Sequence, residues 1–477
     1  MKRYIHTIAL SLGSLYVLAA VLSSCDKDEP GSYLNVMLAP EEGEELSGGS
    51  RNTVYDASEN AFAFPSPALT GLDELEFFVG NSFFNQNWVT SPASTTARDG
   101  LGPVFNARSC SGCHFKDGRG RAPEVDGELT SGLLLRLSIP GMGPHGGPLG
   151  DPTYGGQLND QSILDVPTEA SFRITYTETS GQFDDGTSWS LRKPEYWIEN
   201  PSFGPFSDQL MVSPRVGQQI IGLGLLEAIH ESDLLAYVDE GDADNDGISG
   251  RANYVWDAEH QETRMGRFGW KANQPSLRQQ TAGAFLGDIG ITSPIFPDEN
   301  CTGAQQDCEQ AENGGSPEIE EDDLQKTVLY VASLAVPARR SVDDPEVLQG
   351  REVFKEIGCA GCHVPSYTTG AHPDFDHLSN EKIWPYSDLL LHDMGDELAD
   401  NRPDFLANGN EWRTPPLWGI GLFQTVNRHT NYLHDGRARN LTEAILWHGG
   451  EGQRSRDNFA GLSTENREAL ISFLESL

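Results

Sequence analysis

Two copies of one pentapeptide constrain this chain more than any other feature: Cys110-Ser-Gly-Cys113-His114 in the first half and Cys359-Ala-Gly-Cys362-His363 in the second. C-x-x-C-H is the pattern that attaches a c-type haem. The two thiols add to the vinyl groups as thioethers, and the adjacent imidazole becomes the proximal ligand of the iron. A zinc knuckle or a disulfide pair uses the same residue types, but a structural zinc site gathers its ligands over short loops, and these motifs are far apart in the chain. Two covalently bound c-type haems are expected, one per domain.

Lys2 and Arg3 precede an apolar stretch, residues 8–22, that runs into Leu22-Ser23-Ser24-Cys25. It is too short for a spanning helix and ends in small residues, so residues 1–24 read as an export signal. The tetrapeptide resembles a bacterial lipobox, in which Cys25 becomes the lipidated first residue; plain cleavage that leaves Cys25 free is the alternative. Asp26-Lys27-Asp28-Glu29 is similar to the acidic export signals of some surface lipoproteins. The expectation is an exported lipoprotein held to a membrane by its N-terminal lipid, on the periplasmic or cell-surface side of an outer membrane.

Of 7 cysteines, the motifs take four and Cys25 one. Cys301 and Cys308 remain, bracketing a polar loop, and in an oxidising compartment they would close it as a disulfide; a redox-active dithiol is the alternative. The formal net charge of −38 repels phosphate backbones and argues against nucleic acid as a partner. It suits a basic electron donor, though a solvated surface that keeps an exported protein soluble accounts for it more simply. Beyond the leader, no stretch is apolar enough to cross a bilayer.

Residues 25–60, rich in Glu, Gly and Ser, read as a flexible tether. Residues 61–337 form an N-terminal haem domain punctuated by Gly and Pro, with strand-like patterning at 133–139 and 172–179 and a helix over 320–335 stopped by Pro337. Residues 341–477 have the outline of a cytochrome c domain. A helix opens at Asp344-Pro345 and runs into Cys359, and a closing helix over 463–477 packs back on it. The expected fold class is mostly α: two cytochrome c-like haem domains with long loops and a small β insertion.

The sixth ligand of each iron separates electron transfer from chemistry. Here a resemblance becomes specific. Arg413-Thr-Pro-Pro-Leu417, Tyr432-Leu-His434-Asp435-Gly436 and Leu441-Thr-Glu-Ala-Ile-Leu-Trp-His448 resemble the C-terminal domain of bacterial di-haem cytochrome c peroxidases and MauG-type enzymes. In those families a Met or Tyr ligand stands where this chain has His448. The resemblance therefore implies that His448 is the sixth ligand of the His363 haem, with Met394 as the competing ligand. Phe268-Gly-Trp270, Leu277, Gln280 and Gly283 match the family's Trp-to-Gly spacing, which implies an inter-haem electron relay at Trp270 and a distal-pocket glutamine at Gln280. The family's distal glutamate is missing near Gly290, and Asp288 is the nearest carboxylate. The histidine that caps the N-terminal haem is also missing. His145 is the nearby substitute, and an open position is the alternative. Ser213-Pro-Arg-Val, Ile221-Gly-Leu-Gly-Leu-Leu-Glu227 and Gly266-Arg-Phe-Gly-Trp-Lys-Ala272 complete a resemblance, over about residues 60–477, to the di-haem oxidoreductase group of peroxidases and thiol oxidoreductases.

Asp242-Ala-Asp244-Asn-Asp246-Gly-Ile248 fits the first seven positions of a calcium loop, with carboxylates at 1, 3 and 5 and a carbonyl at 7. Position 12 is Asn253 rather than Glu, so a Ca²⁺ site without EF helices is expected; an Asp-rich turn without an ion is the alternative. The leading function is a peroxidase-like enzyme. A peroxide-type oxidant reacts on the His114 side, and electrons arrive through His363/His448 and Trp270 from a small redox protein or a quinol-derived donor. A non-catalytic electron carrier, or MauG-like oxidation of a protein or thiol partner, are the alternatives.

Overall fold

The computed structural model describes residues 38–128 and 132–477; the expected leader, Cys25 and the start of the tether lie outside these. The helices form where the pattern is amphipathic and capped. Helix α1 (Leu72–Asn85) buries Phe77, Gly80, Phe83 and Phe84, with Asp73 and Glu74 in its first turn, where the helix dipole favours them. Helix α2 (Leu277–Ala284) is capped by Ser276, whose side chain accepts the Gln279 N–H, and runs on into a wider turn, Phe285–Ile289. Helix α3 (Glu321–Ala332) buries Leu324, Val328, Leu329, Val331 and Ala332, and α1 packs against it.

Helix α4 (Pro345–Glu356) has Asp344 as its cap and Pro345 at its first position. Helix α5 (Leu441–Leu446) is capped by Asn440. Helix α6 (Thr464–Ser476) is capped by Ser463 and lies on α4. Gly350 permits that packing, because a β-carbon there would run into the Ala469 carbonyl.

Strands are the larger departure from expectation. With 28% helix and 19% strand in small separate sheets, the molecule is mixed α and β rather than mostly α. The Gly/Pro-punctuated middle of the chain, whose breaks prevent long helices, pairs into hairpins instead. Strand β1 (Leu133–Met142) pairs with β4 (Met211–Val216). Between them, β2 (Ser171–Gln182) and β3 (Ser188–Glu199) form a long two-stranded ribbon in continuous antiparallel register. The ribbon straps the two halves together: Arg192 donates to the Arg437 carbonyl at 3.0 Å, and Asp185 at its tip meets Thr464 and Arg467 on α6.

The tether expected over 25–60 is packed from Ala39 onward, and residues 39–477 form one compact unit. Glu44 is the physical reason. It is fully buried between Arg339 and Arg351, at 3.0 and 2.9 Å, and a buried carboxylate held by two guanidinium groups cannot swing freely. Thr53–Val54 pairs in parallel with Val336–Pro337, at the passage from the first half to the second. One apolar core includes Phe77, Tyr330, Phe354 and Phe473 and so runs through both halves. Among the described residues, no helix is long and apolar enough to cross a membrane.

Candidate functional site

Both pentapeptides form a tight turn at the end of a leading segment. In the second, α4 ends, Gly358 takes φ +96°, and the turn Cys359–Gly361 brings the His363 N–H onto the Cys359 carbonyl at 3.0 Å. The His363 Nδ1–H donates to the Tyr386 carbonyl at 3.0 Å, which fixes the tautomer and leaves Nε2 as the free lone pair. Across the same cavity, at the end of α5, the His448 Nδ1–H donates to the Ala444 carbonyl at 2.8 Å. His363, His448, Cys359 and Cys362 all line this cavity, with Phe354, Leu470 and other apolar side chains. Burial pushes His363 down to about 4, neighbouring His448 adding to the shift, and burial lowers His448 as well. Both imidazoles are therefore neutral, the form that binds a metal.

Met394 lines the cavity beside His448. A β-carbon on Gly452 would lie 3.1 Å from the His448 β-carbon and 3.3 Å from the Met394 methyl. His392 also lines it, but both its ring nitrogens are engaged, Nε2 with Asp388 at 2.8 Å and Nδ1 with Glu451 at 2.7 Å. Asp388, with the Cys362 sulfur beside it, outweighs burial and holds it well above the usual histidine range.

In the first motif the His114 N–H donates to the Cys110 carbonyl at 2.9 Å, and its Nδ1–H meets the Gly118 carbonyl at 3.3 Å. Gly217 abuts the ring: a β-carbon there would be 2.8 Å from Cε1. All four motif cysteines carry free thiols, and burial pushes Cys113 and Cys359 up to about 12. Among the described residues, the one group of three metal-ligating side chains is Asp242, Asp244 and Asp246, so neither motif gathers a zinc-type set. Free thiols, a backbone-anchored imidazole and, at the second motif, an apolar cavity with an opposing imidazole fit a covalently held haem.

Trp270 lies between the two sites. It lines the second cavity, yet its indole N–H donates to the Val216 carbonyl at 2.8 Å, one residue before the glycine that abuts His114. The Arg119 guanidinium stands 5.1 Å over its ring. His434 meets Trp270 edge-on at 6.4 Å and stacks on Trp412 at 3.8 Å.

The three loop aspartates have ligand oxygens within 4.8 Å of one another. Ile248 lies over the second motif, since a β-carbon on Gly361 would run into its Cδ1. Ser249 donates through its N–H and hydroxyl to Glu451, at 2.9 and 2.7 Å. Asn253 is turned elsewhere, its amide donating to the Lys271 and Asp404 carbonyls. Cys301 and Cys308 are joined as a disulfide, with Gln305 between them donating to buried Glu169 at 2.6 Å.

Two residues expected at the first site are placed as follows. His145 is exposed and stacks on the Trp256 indole at 3.8 Å. Gln280 is half-buried on α2, and the anchored glutamine of that helix is its neighbour Gln279, bonded to Ala258 and Trp256. Sequence reasoning missed the anchoring carbonyls of Gly118 and Tyr386, the glycine at 217 and the Glu451 clamp. None carries a local signal, because each acts through a partner remote in sequence or through its backbone.

A family model described as "Di-haem oxidoreductase, putative peroxidase" matches residues 43–477. No curated protein matches. Among solved structures, the chain aligns with a hydrazine synthase of Kuenenia stuttgartiensis pressurised with 20 bar xenon, at 12% identity over 98% of this chain and 100% of that one. The TM-score of 0.32 is too low for that likeness to bear on fold or activity.

Proposed function

We propose, for a chain that belongs to the di-haem oxidoreductase family, that it is a c-type oxidoreductase of peroxidase type, with the reactive position on the His114 side and an electron-holding position between His363 and His448. The observation that carries this is the asymmetry of the two sites. The second offers two neutral imidazoles to one cavity, each pinned through Nδ1 to a backbone carbonyl; the first has a pinned His114, and His145, the histidine the sequence offered to it, stacks on Trp256. When bound, the haems supply one-electron exchange and, where a sixth position is open, reduction of a peroxide-type oxidant.

The protein's share is positioning. Cys110 and Cys113, and Cys359 and Cys362, hold the groups covalently; the carbonyls of Gly118 and Tyr386 orient the proximal rings; His448 closes the second site. Trp270, a readily oxidised indole hydrogen-bonded between the two sites, serves as the relay. The acidic loop holds Ca²⁺ through Asp242, Asp244, Asp246 and the Ile248 carbonyl, and so fixes the ground on which the second motif stands. Electrons come from a small basic redox protein or a quinol-derived donor, matched to the acidic surface. The chain is exported and anchored by lipid at Cys25.

Electron paramagnetic resonance of the purified protein, fully oxidised and half-reduced and titrated with peroxide, tests the assignment. One high-spin ferric signal that disappears with peroxide is expected beside one low-spin signal. Two low-spin haems inert to peroxide in both states would leave a non-catalytic carrier.

A further inference from the structure

Two elements leave the first motif and meet again at a polar notch. Strand β1 starts beside it, where a β-carbon on Gly132 would lie 3.3 Å from the Cys113 carbonyl, and leads to Arg136. The turn that follows α2 is tied to the motif's other flank. The Asp288 carbonyl accepts the Asn106 and Ala107 N–H groups at 2.9 and 3.0 Å, and the Ala107 methyl would be 3.4 Å from a β-carbon on Gly112 within the motif. They converge at Gly287, where a β-carbon would lie 3.6 Å from Gln157 Oε1 and 3.9 Å from Arg136 Nη1.

Gln157 is 3% exposed. Its Nε2 donates to Asn106 Oδ1 at 2.6 Å, the Gly287 carbonyl at 2.9 Å and Asp288 Oδ1 at 2.9 Å. A nitrogen facing three acceptors fixes which way the amide points. Its Oε1 is consequently left buried without a donor among the described residues, an arrangement that costs about 1–3 kcal/mol unless something donates to it. Beside it, Arg136 is half-buried, and its guanidinium has no carboxylate bonded to it among the described residues, Asp288 acting on it only through its field. The same Asp288 field reaches Cys110, Cys113 and His114, so notch and motif share one neighbourhood. A free cationic donor and a free acceptor side by side match a small ligand that both accepts and donates a hydrogen bond.

We propose that Arg136 and Gln157 form the polar wall that receives a hydroperoxide-class ligand on the His114 side: the guanidinium donates to the ligand oxygen, Gln157 Oε1 accepts its O–H, and Asp288 holds the amide in that orientation. This deepens the peroxidase reading and rests on it. The wall comes from β1 and from the loop carrying Gln157, not from Gln280 on α2.

Fluoride is the probe, because it binds an open ferric haem and accepts hydrogen bonds but cannot donate them. In the ferric holoprotein, Arg136→Leu is expected to weaken fluoride binding at least tenfold and Arg136→Lys by less. Gln157→Leu is expected to leave fluoride affinity within threefold while slowing the reaction with hydrogen peroxide at least tenfold. Haem content and thermal melts of each variant verify folding, and Arg136→Lys keeps the test open if the leucine variant does not fold. Unchanged fluoride affinity in both Arg136 variants overturns the wall. A shifted haem potential with unchanged fluoride affinity also overturns it, since Arg136 would then be binding a haem propionate. A wild-type protein that binds no fluoride, oxidised or half-reduced, overturns the peroxidase reading itself and this proposal with it.

Discussion

Gly217 stands against the edge of the His114 imidazole, with room for a hydrogen and no more: a β-carbon would sit 2.8 Å from Cε1 and 3.2 Å from Nε2. Real β-carbons do not approach so closely, and Gly217 is itself bonded to the Gly132 carbonyl at 2.9 Å, so the ring must yield. Gly217→Ala is expected to turn His114, weaken its bond to the iron and shift the potential of the first haem. The thioethers would keep haem content unchanged. Potentiometry reads the shift, with Gly156→Ala, which meets nothing within 4 Å, as the control. Identical potentials would show that the contact does not constrain the ligand.

His448 and Met394 both line the second cavity and are its two candidate sixth ligands. Because His448 Nδ1 is tied to the Ala444 carbonyl at 2.8 Å, its Nε2 is pre-set to ligate at little further entropic cost. His448→Ala should convert the second haem from low to high spin, while Met394→Ala should leave it low spin. The reverse pattern in paramagnetic resonance would give the iron to the thioether. Two imidazoles also predict a lower potential than Met/His ligation.

The acidic loop touches the second motif through Ile248 on Gly361, and the following Ser249 holds Glu451, which in turn holds His392 at 2.7 Å, beside the Cys362 sulfur. Removing Ca²⁺ with EDTA should therefore slow peroxide turnover several-fold and shift the second haem's spectrum, with haem content unchanged. Asp244→Asn should mimic chelation. Kinetics and spectra indifferent to EDTA would leave the loop as an Asp-rich turn.

Buried carboxylates give stability an uncommon pH dependence. Burial raises Asp117 and Glu169 to about 7, their hydrogen bonds from Tyr330 and from Asn159 and Gln305 opposing the shift. The folded chain keeps these protons while the unfolded chain loses them near pH 4, so their effect is a loss of stability as pH rises from about 4 to 7. Glu451 works the other way. Its bonds, those to His392 foremost, outweigh burial and hold it at about 2, so its contribution is present above about 4.5 and is lost as pH falls towards 2. Asp117→Asn, which still accepts the Tyr330 hydroxyl, should gain about 4 kcal/mol at pH 8 and little at pH 4. Denaturant unfolding at the two pH values measures it; an equal effect at both would mean that Asp117 is ionised throughout.

The sequence alone determined what is encoded over a few neighbouring residues. It specified the two attachment motifs, the cap at Asp344, the closing helix from 463, an amphipathic helix over 320–335 that the structure ends three residues earlier, at Ala332, the strand patterning from 133 and 172, and the spacing of the acidic loop. Each depends on helical or strand periodicity or on a covalent pattern, so it is legible without knowing what lies across the core. Tertiary structure alone decided which remote group meets which. The Tyr386 carbonyl on His363, Gly217 on His114, Ile248 on Gly361 and the orphaned Gln157 oxygen all arise where segments separated along the chain close together. It also overrode local reading where composition misled, because Glu44, in a stretch polar enough for a tether, found two buried arginines, and His145 found Trp256. The physical reason is that propensity is local, whereas the packing around a ligand and the polarity of a pocket are set by contacts between segments that the sequence separates.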